Sequence, residues 1–180
     1  MERLPRIDEA TVTADQRRGY DELMTRFGVI AGPFGVWLHS AELLDHGLKL
    51  QEMFASRVKL ERRLLELAVM VTARFVTAQF AWCVHEPHAR KFGISGDILE
   101  AIRDRRTPVF AREDERIVYD VAMELNVLRS LSEANFQRGM AMFGEQVMVE
   151  LVGAIGYYGM IALTLNAFNI PGPAGKKLLE

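Results

Sequence analysis

The feature that most constrains the fold of this chain is a predicted helical hairpin. Apolar residues recur at helical spacing from about Leu60 to Val76, with Glu66 off the centre of the apolar stripe. A second helix-like segment runs from about Gln79 to Phe92, and the turn between the two falls near Thr77. The pattern therefore predicts two antiparallel helices joined by a short bend.

A carboxylate and an imidazole lie on opposite arms of this hairpin. Because an α-helix rises about 1.5 Å per residue, Glu66 and His85 both lie roughly 12–16 Å from the bend near Thr77. The spacing therefore predicts that the two side chains meet.

The other segments also have helical patterns. GPFGVWLHS is too broken by glycine and proline for a long helix and is predicted as a short helix or a buried loop. No segment shows the alternation typical of a strand, so the chain is predicted to be all-α. The remaining predicted helices are 14–27, 41–55, 95–103, 113–128, 132–143 and, after Gly144, 145–169.

The last of these helices is unusually apolar. No charged residue occurs between Leu151 and Gly175, and the run is long enough to raise the question of a membrane span. Polar and aromatic residues interrupt it, and the rest of the chain is amphipathic. We therefore predict no membrane span but a central helix, buried within the protein or between subunits, in which Gly153, Gly156 and Gly159 allow close contact.

Length and composition are those of a soluble domain. We predict one domain over residues 1–180, with 1–13 as a polar N-terminal lead; 49% of residues are apolar and 26% charged. A net charge of −2 gives no basic footprint for nucleic acid. The chain starts with charges rather than an apolar signal segment, and its single cysteine, Cys83, suits a reducing compartment. We therefore expect a cytoplasmic protein.

His85 is the leading candidate for chemistry. The ordinary pKa of imidazole lies near neutral pH, so His85 could act as a general acid or base. Glu66 could orient the ring and stabilise its protonated form. The alternative is a core histidine satisfied by a buried glutamate, with a purely structural role.

The same segment gives weaker support to two other functions, a reactive thiol and a metal site. Cys83 lies two residues before His85, about 200° around a helix, so a buried structural thiol is favoured over a thiolate–imidazole pair. His85 and His88 could share a metal ion with Glu66, but Pro87 should spoil the helix between them and no third histidine is near. Pro87 cannot bond to the carbonyl of Cys83, so we expect a kink or break just after His85.

Substrate recognition is left open by the sequence. Arg62, Arg63 and Arg74 flank the Glu66 helix, and one of them could bind a substrate carboxylate through two hydrogen bonds. A solvated helix face is the simpler interpretation of all three. His39 and His88 are further candidates for contact with a substrate.

Three blocks of the sequence resemble one family. Glu66 followed by AQFAWCVHEPHARKFGIS, with GPFGVWLHSAEL upstream and ELVGAIGYYGMIALTLNAFNIP downstream, is similar to the carboxymuconolactone decarboxylase family, which shares its fold with the alkylhydroperoxidase AhpD proteins. The resemblance spans residues 32–173. It implies an AhpD-like helical bundle that forms a homo-oligomer, often a trimer or hexamer.

The redox branch of the family carries a glutamate, then Cys-x-x-Cys, then a histidine four residues later. Glu66 and His85 match the glutamate and the histidine, but Ala78 and Ala81 occupy the two cysteine positions. Both thiols of a peroxidase or disulfide-reductase cycle are therefore missing.

The decarboxylase branch also lacks these cysteines and keeps the histidine. This resemblance implies a lyase or isomerase, without metal or organic cofactor, that acts on a small carboxylated lactone from aromatic degradation. His85 would transfer the proton and Glu66 would orient it. Ala78 and Ala81 would leave room for substrate, and Trp82 would wall the pocket.

Three alternatives remain. The first is an AhpD-like alkylhydroperoxidase or peroxiredoxin-type antioxidant activity that uses Cys83 alone. The second is a hydrolase or isomerase with the same Glu66–His85 site. The third is a non-enzymatic oligomeric protein that binds a ligand and in which Glu66 and His85 are structural.

Overall fold

A computed structural model describes residues 2–180, and this part of the chain contains α-helices and one short 3-10 turn but no strand. The all-α prediction is therefore confirmed, and the GPFGVWLHS segment contains a short helix. The helices are α1 Ala14–Phe27, α2 Gly32–Trp37, α3 Ala41–Ser56, α4 Arg62–Phe75, α5 Gln79–Lys91, α6 Gly96–Arg103, α7 Glu113–Leu128 and α8 Glu133–Ala167, with the 3-10 turn at Pro173–Gly175.

Helix α4 is the centre of the fold. It packs against α5, α6, α7 and α8, and its residues from Arg63 to Arg74 are all buried. The sequence predicted an amphipathic helix with one apolar face, and this prediction is wrong in that the other face is buried too. Neighbours cover the helix on every side, so its polar positions are buried as well as its apolar ones.

Burial of charged residues in α4 is possible because each has partners. The Arg63 guanidinium binds Asp114 and Glu115, both at 2.6 Å, at the start of α7. Arg74 donates to the side chain of Thr77 and to the carbonyl oxygen of Glu180. Both arginines therefore link the central helix to other parts of the chain.

The bend between α4 and α5 lies where the sequence predicted it. Thr77 has a φ of 55°, in the left-handed region, and the Ala78 amide donates to the Ala73 carbonyl at 2.8 Å. A β-branched residue is strained in this conformation. The Arg74–Thr77 hydrogen bond helps to hold it, and α5 turns back along α4.

Pro87 does not break α5. The helix continues through it to Lys91, so the expected break just after His85 is absent. A proline costs one backbone hydrogen bond and a steric adjustment. Packing of α5 against α4 holds the helix across that position.

Helix α8 consists of two helical parts. Gly144, with φ 73° and ψ 174°, interrupts the helical backbone, as the sequence predicted. Helix α8 packs against α4 and α7, but only 44% of the residues in its most apolar stretch are buried. Val149 and Leu163 are 71% and 61% exposed. Among the described helices, α8 alone is long and apolar enough to cross a membrane. This is weak evidence for a membrane span, because core helices of globular proteins can have the same length and composition.

The ion pairs of Arg63 predict how stability depends on pH. Burial raises the pKa of Asp114, but hydrogen bonds from Arg112 and Arg63 outweigh it and lower the pKa from 3.8 to about 2. A lowered pKa in the folded state stabilises the fold above the ordinary pKa, and this contribution disappears as pH falls from about 4 to about 2. We expect Asp114→Asn to lower the free energy of unfolding at pH 7 by about 2 kcal/mol.

Urea unfolding of both proteins at several pH values would measure this effect. The difference between wild type and Asp114→Asn should shrink towards pH 2. Asp21→Asn, which removes an exposed carboxylate from α1, is the control and should change little. A difference that does not depend on pH would contradict the assignment to this ion pair.

Candidate active site

Glu66 is completely buried and has a different partner at each oxygen. Its Oε2 is 2.8 Å from Nδ1 of His85, across the hairpin. Its Oε1 is 2.7 Å from Nη2 of Arg62, one turn earlier on α4, in an ion pair without the alignment of a good hydrogen bond. Nδ1 of His88 is 3.9 Å from the same oxygen. The structure thus brings together the carboxylate and imidazole that the spacing predicted would meet.

The contact with Glu66 determines which nitrogen of His85 is free. An ionised carboxylate only accepts hydrogen bonds, so Nδ1 of His85 carries the proton and donates it. In the neutral ring Nε2 then holds the lone pair. The ring packs edge-on against Tyr158, with 5.1 Å between centroids and an interplanar angle of 87°. A packed ring with a fixed tautomer is suited to proton transfer.

The electrostatics favour an ionised Glu66. Burial alone raises the pKa of Glu66, but the His85 hydrogen bond and the charges of His85, Arg62 and His88 lower it below its ordinary value overall. Burial, together with the negative charge of Glu66, raises the pKa of Tyr158 to about 12. The site therefore pairs an anionic carboxylate with a phenol that stays protonated at neutral pH.

A cavity of about 420 Å³ lies beside His85. Helices α1 to α5 and α8 contribute residues to its lining. The lining residues are Phe27, Val29, Ala31, Pro33, Phe34, Gln51, Arg62, Phe80, Ala81, Val84, His85, His88, Tyr158, Ile161 and Leu165.

Glu66, His85 and His88 also form a possible metal-ligand set. One ligand atom from each lies within 4.8 Å of the others, because α5 continues through Pro87 and carries both histidines on one face. The sequence argument that Pro87 would separate them is therefore wrong. However, the Arg62 guanidinium already lies 2.7 Å from Glu66 Oε1, where a cation would bind. A metal ion would have to displace Arg62.

Of the three residues predicted to form the substrate pocket, only one lines the cavity. Ala81 lines the cavity, but Ala78 is buried at the bend and is not among the lining residues. Trp82 is fully buried in the core instead of walling the pocket, and its Nε1 donates to Glu86 at 3.2 Å. Helical geometry explains this, because Trp82 lies one residue and about 100° away from Ala81.

Of the other sequence candidates, Arg62 and His88 line this cavity, and the rest are not among its lining residues. Burial raises the pKa of the Cys83 thiol, which disfavours a reactive thiolate. Arg63 and Arg74 are committed to the structural contacts described above. His39 contacts the Pro5 carbonyl at 3.1 Å and lines a separate cavity of about 530 Å³ near the N-terminal lead, which Glu66 and His85 do not reach.

The sequence reasoning missed one contributor to the site, Tyr158, and named a second, Arg62, only as one of three arginines that could bind a substrate carboxylate. Tyr158 was treated only as an interruption of an apolar helix, although it contacts His85. Arg62 was grouped with two other arginines. Its position four residues before Glu66, on the same helix face, was the available signal.

Solved structures with the same fold give the comparison. No protein-family model and no curated protein matches the chain. An uncharacterised peroxidase-related protein from Silicibacter sp. TM1040 is 14% identical, with a TM-score of 0.76, covering 98% of this chain and 95% of its own. The AhpD core of a peroxidase-related protein from Ralstonia eutropha JMP134 is 15% identical, with a TM-score of 0.75 and coverage of 99% and 95%.

A third structure comes from Agrobacterium tumefaciens, a protein of unknown function whose name links it to the antioxidant defence protein AhpD. It is 20% identical, with a TM-score of 0.68, and the match covers 77% of this chain and 95% of that one. The chain has the AhpD-like fold. Identities this low establish the AhpD-like architecture and leave the chemistry to be argued from the site.

The tautomer of His85 can be tested directly. We expect the Nδ1–H form to dominate at about pH 9, where an ordinary imidazole is neutral, because Glu66 accepts that proton. Two-bond ¹H–¹⁵N correlations of the histidine rings would show it. Glu66→Ala should shift His85 towards the Nε2–H form that free imidazole prefers, and His46, on the exposed face of α3, should not change. A dominant Nε2–H form in the wild type would contradict the assignment.

Proposed function

We propose that the chain is a lyase or isomerase that transfers a proton through His85 and Glu66 on a small carboxylated or lactone substrate, without a metal or organic cofactor. The observation that carries the proposal is the 2.8 Å contact between Glu66 Oε2 and His85 Nδ1, with His85 in the wall of a mostly apolar cavity. Such a dyad leaves Nε2 as the base and stabilises the imidazolium that forms. The resemblance of three sequence blocks to the carboxymuconolactone decarboxylase family supports the same proposal.

The chemistry in the decarboxylase form has two steps. The bond between the substrate carbon and its carboxylate breaks, CO₂ leaves, and the electron pair moves into the adjacent unsaturated carbonyl system as an enolate. The protonated His85 then donates its Nε2 proton to carbon, and the resulting neutral ring is held by Glu66. In the isomerase form His85 removes a proton from one carbon and returns it to another. The phenol of Tyr158 and the cation of Arg62 are available to stabilise the enolate oxygen.

A thiol peroxidase is the alternative favoured by the names of the neighbouring structures. Against it, the fold offers Ala78 and Ala81 in place of the two cysteines, and Cys83 is a thiol with a raised pKa. Any such activity would depend on Cys83 alone. In a non-enzymatic protein, the cavity would bind a ligand and the Glu66–His85 contact would only stabilise the fold.

Turnover by variants separates these functions. We expect His85→Ala to lower CO₂ release and lactone loss by about 10²–10⁴, the usual contribution of a positioned acid or base. Glu66→Gln should lower both strongly as well, because an amide can donate to Nδ1 and so favour the wrong tautomer. Circular dichroism would verify that each variant is folded.

Cys83→Ser is the control and should retain full activity. Loss of activity in Cys83→Ser, or peroxide reduction by the wild type, would favour the thiol alternative. Unchanged turnover in a folded His85→Ala would contradict the proposal.

We also propose that the protein is cytoplasmic and self-associates, as a trimer or hexamer, through the exposed apolar face of α8. Val152 and Leu163 are exposed within the stretch without charge that begins at Leu151, and Val149 is exposed just before it. Exposed apolar patches of this kind commonly mark contacts between proteins. Light scattering after size exclusion should give a multiple of 20.4 kDa, and Leu163→Asp should shift it towards one chain. A monomeric wild type would contradict this.

A further inference from the structure

We infer that the cavity beside His85 binds an acid with a single carboxylate and an apolar, aromatic body, and that Arg62 holds the carboxylate. This inference rests on the proposed function for its chemistry. It concerns binding, however, and is tested without turnover.

The charge of the lining selects for an anion. No aspartate or glutamate is among the cavity-lining residues described above, because Glu66 is enclosed behind Arg62 and His85. Arg62 lines the cavity and keeps 27% of its side chain exposed. His88, half exposed, lies beside it. An incoming carboxylate therefore meets a guanidinium and two imidazoles and no opposing acid.

The contacts of Arg62 leave it free to bind a second anion. A guanidinium has five N–H donors. Nη1 donates to the Phe54 carbonyl at 3.3 Å, and Nη2 faces Glu66 without good alignment. Nε is buried, so a ligand in the cavity does not reach it. Each terminal nitrogen still carries a second N–H, so Arg62 can stay paired with Glu66 and offer these two donors to a substrate carboxylate, to which bidentate binding is the preferred geometry.

The rest of the cavity suits an apolar ring. The rings of Phe27 and Phe34 are stacked 5.5 Å apart on one wall, and Phe80 and Tyr158 contribute further aromatic surface. Aromatic walls favour a flat, apolar guest through area and ring contacts. The volume of about 420 Å³ lies in the lower part of the range for small-molecule sites, about 300–1,000 Å³.

The same lining argues against a substrate with several carboxylates. Arg62 is the one arginine or lysine in the lining, so a second carboxylate at a distance from Arg62, His85 and His88 would lie against phenylalanine, isoleucine and leucine side chains. Burying an unpaired charge in such surroundings is strongly unfavourable. The inference thus narrows the proposed substrate class to monocarboxylates.

Binding of a matched set of probes tests this on the full chain. Cinnamate is a flat aromatic monocarboxylate, cinnamamide is its uncharged counterpart, and terephthalate carries a second carboxylate. Isothermal titration should show cinnamate binding at least about tenfold more tightly than the other two, since a charged hydrogen bond is worth about 1.5–3 kcal/mol. Arg62→Gln should remove the preference for the acid over the amide. Arg57→Gln, which removes an exposed arginine paired with Glu52, is the control and should keep it.

Equal binding of acid and amide by the wild type would overturn the inference, as would tighter binding of terephthalate or no binding of cinnamate. The wild-type comparison stands even if Arg62→Gln fails to fold. The inference and the proposed function can fail separately. Selective, Arg62-dependent binding of cinnamate without any lyase or isomerase turnover would contradict the proposed function and still support the carboxylate-binding site.

Discussion

The buried carboxylate of Glu66 is the interaction on which the rest of the site depends. A carboxylate without water is unfavourable unless charges and hydrogen bonds surround it. In this chain both are supplied, by the His85 hydrogen bond on one oxygen and by Arg62 on the other. Removing either partner would leave this buried charge with less compensation at the centre of the helix bundle. The arrangement of α4 and α5 is therefore as much an electrostatic requirement as a hydrophobic one.

The fold and the chemistry are separable in this protein. In this chain the helical hairpin of the AhpD-like fold positions Glu66 on one arm and His85 on the other. Alanines occupy the two positions that, by the family resemblance of the sequence, would carry thiols in the redox branch, and the single cysteine, Cys83, is a partly buried thiol with a raised pKa. Keeping the acid–base pair while lacking the thiol pair favours proton transfer over electron transfer.

Local patterns were enough to predict much of this fold. Helical periodicity gave the helices and the bend at Thr77, and the distances of Glu66 and His85 from that bend gave their contact. The patterns failed where tertiary packing decides. The sequence does not show that α4 is covered on all sides, that packing carries α5 through Pro87, or that Trp82 turns into the core while Ala81 faces the cavity. Tyr158 comes from a helix seventy-three positions beyond His85, and no short-range spacing could pair them.

Arg62 connects substrate binding to the acid–base pair. In the free protein its charge neutralises Glu66. A substrate carboxylate bound by the remaining N–H groups of Arg62 shares this guanidinium with Glu66, whose other oxygen orients His85. An enclosed carboxylate, which itself touches no substrate, in this way links the side chain that binds the substrate to the residue that acts on it.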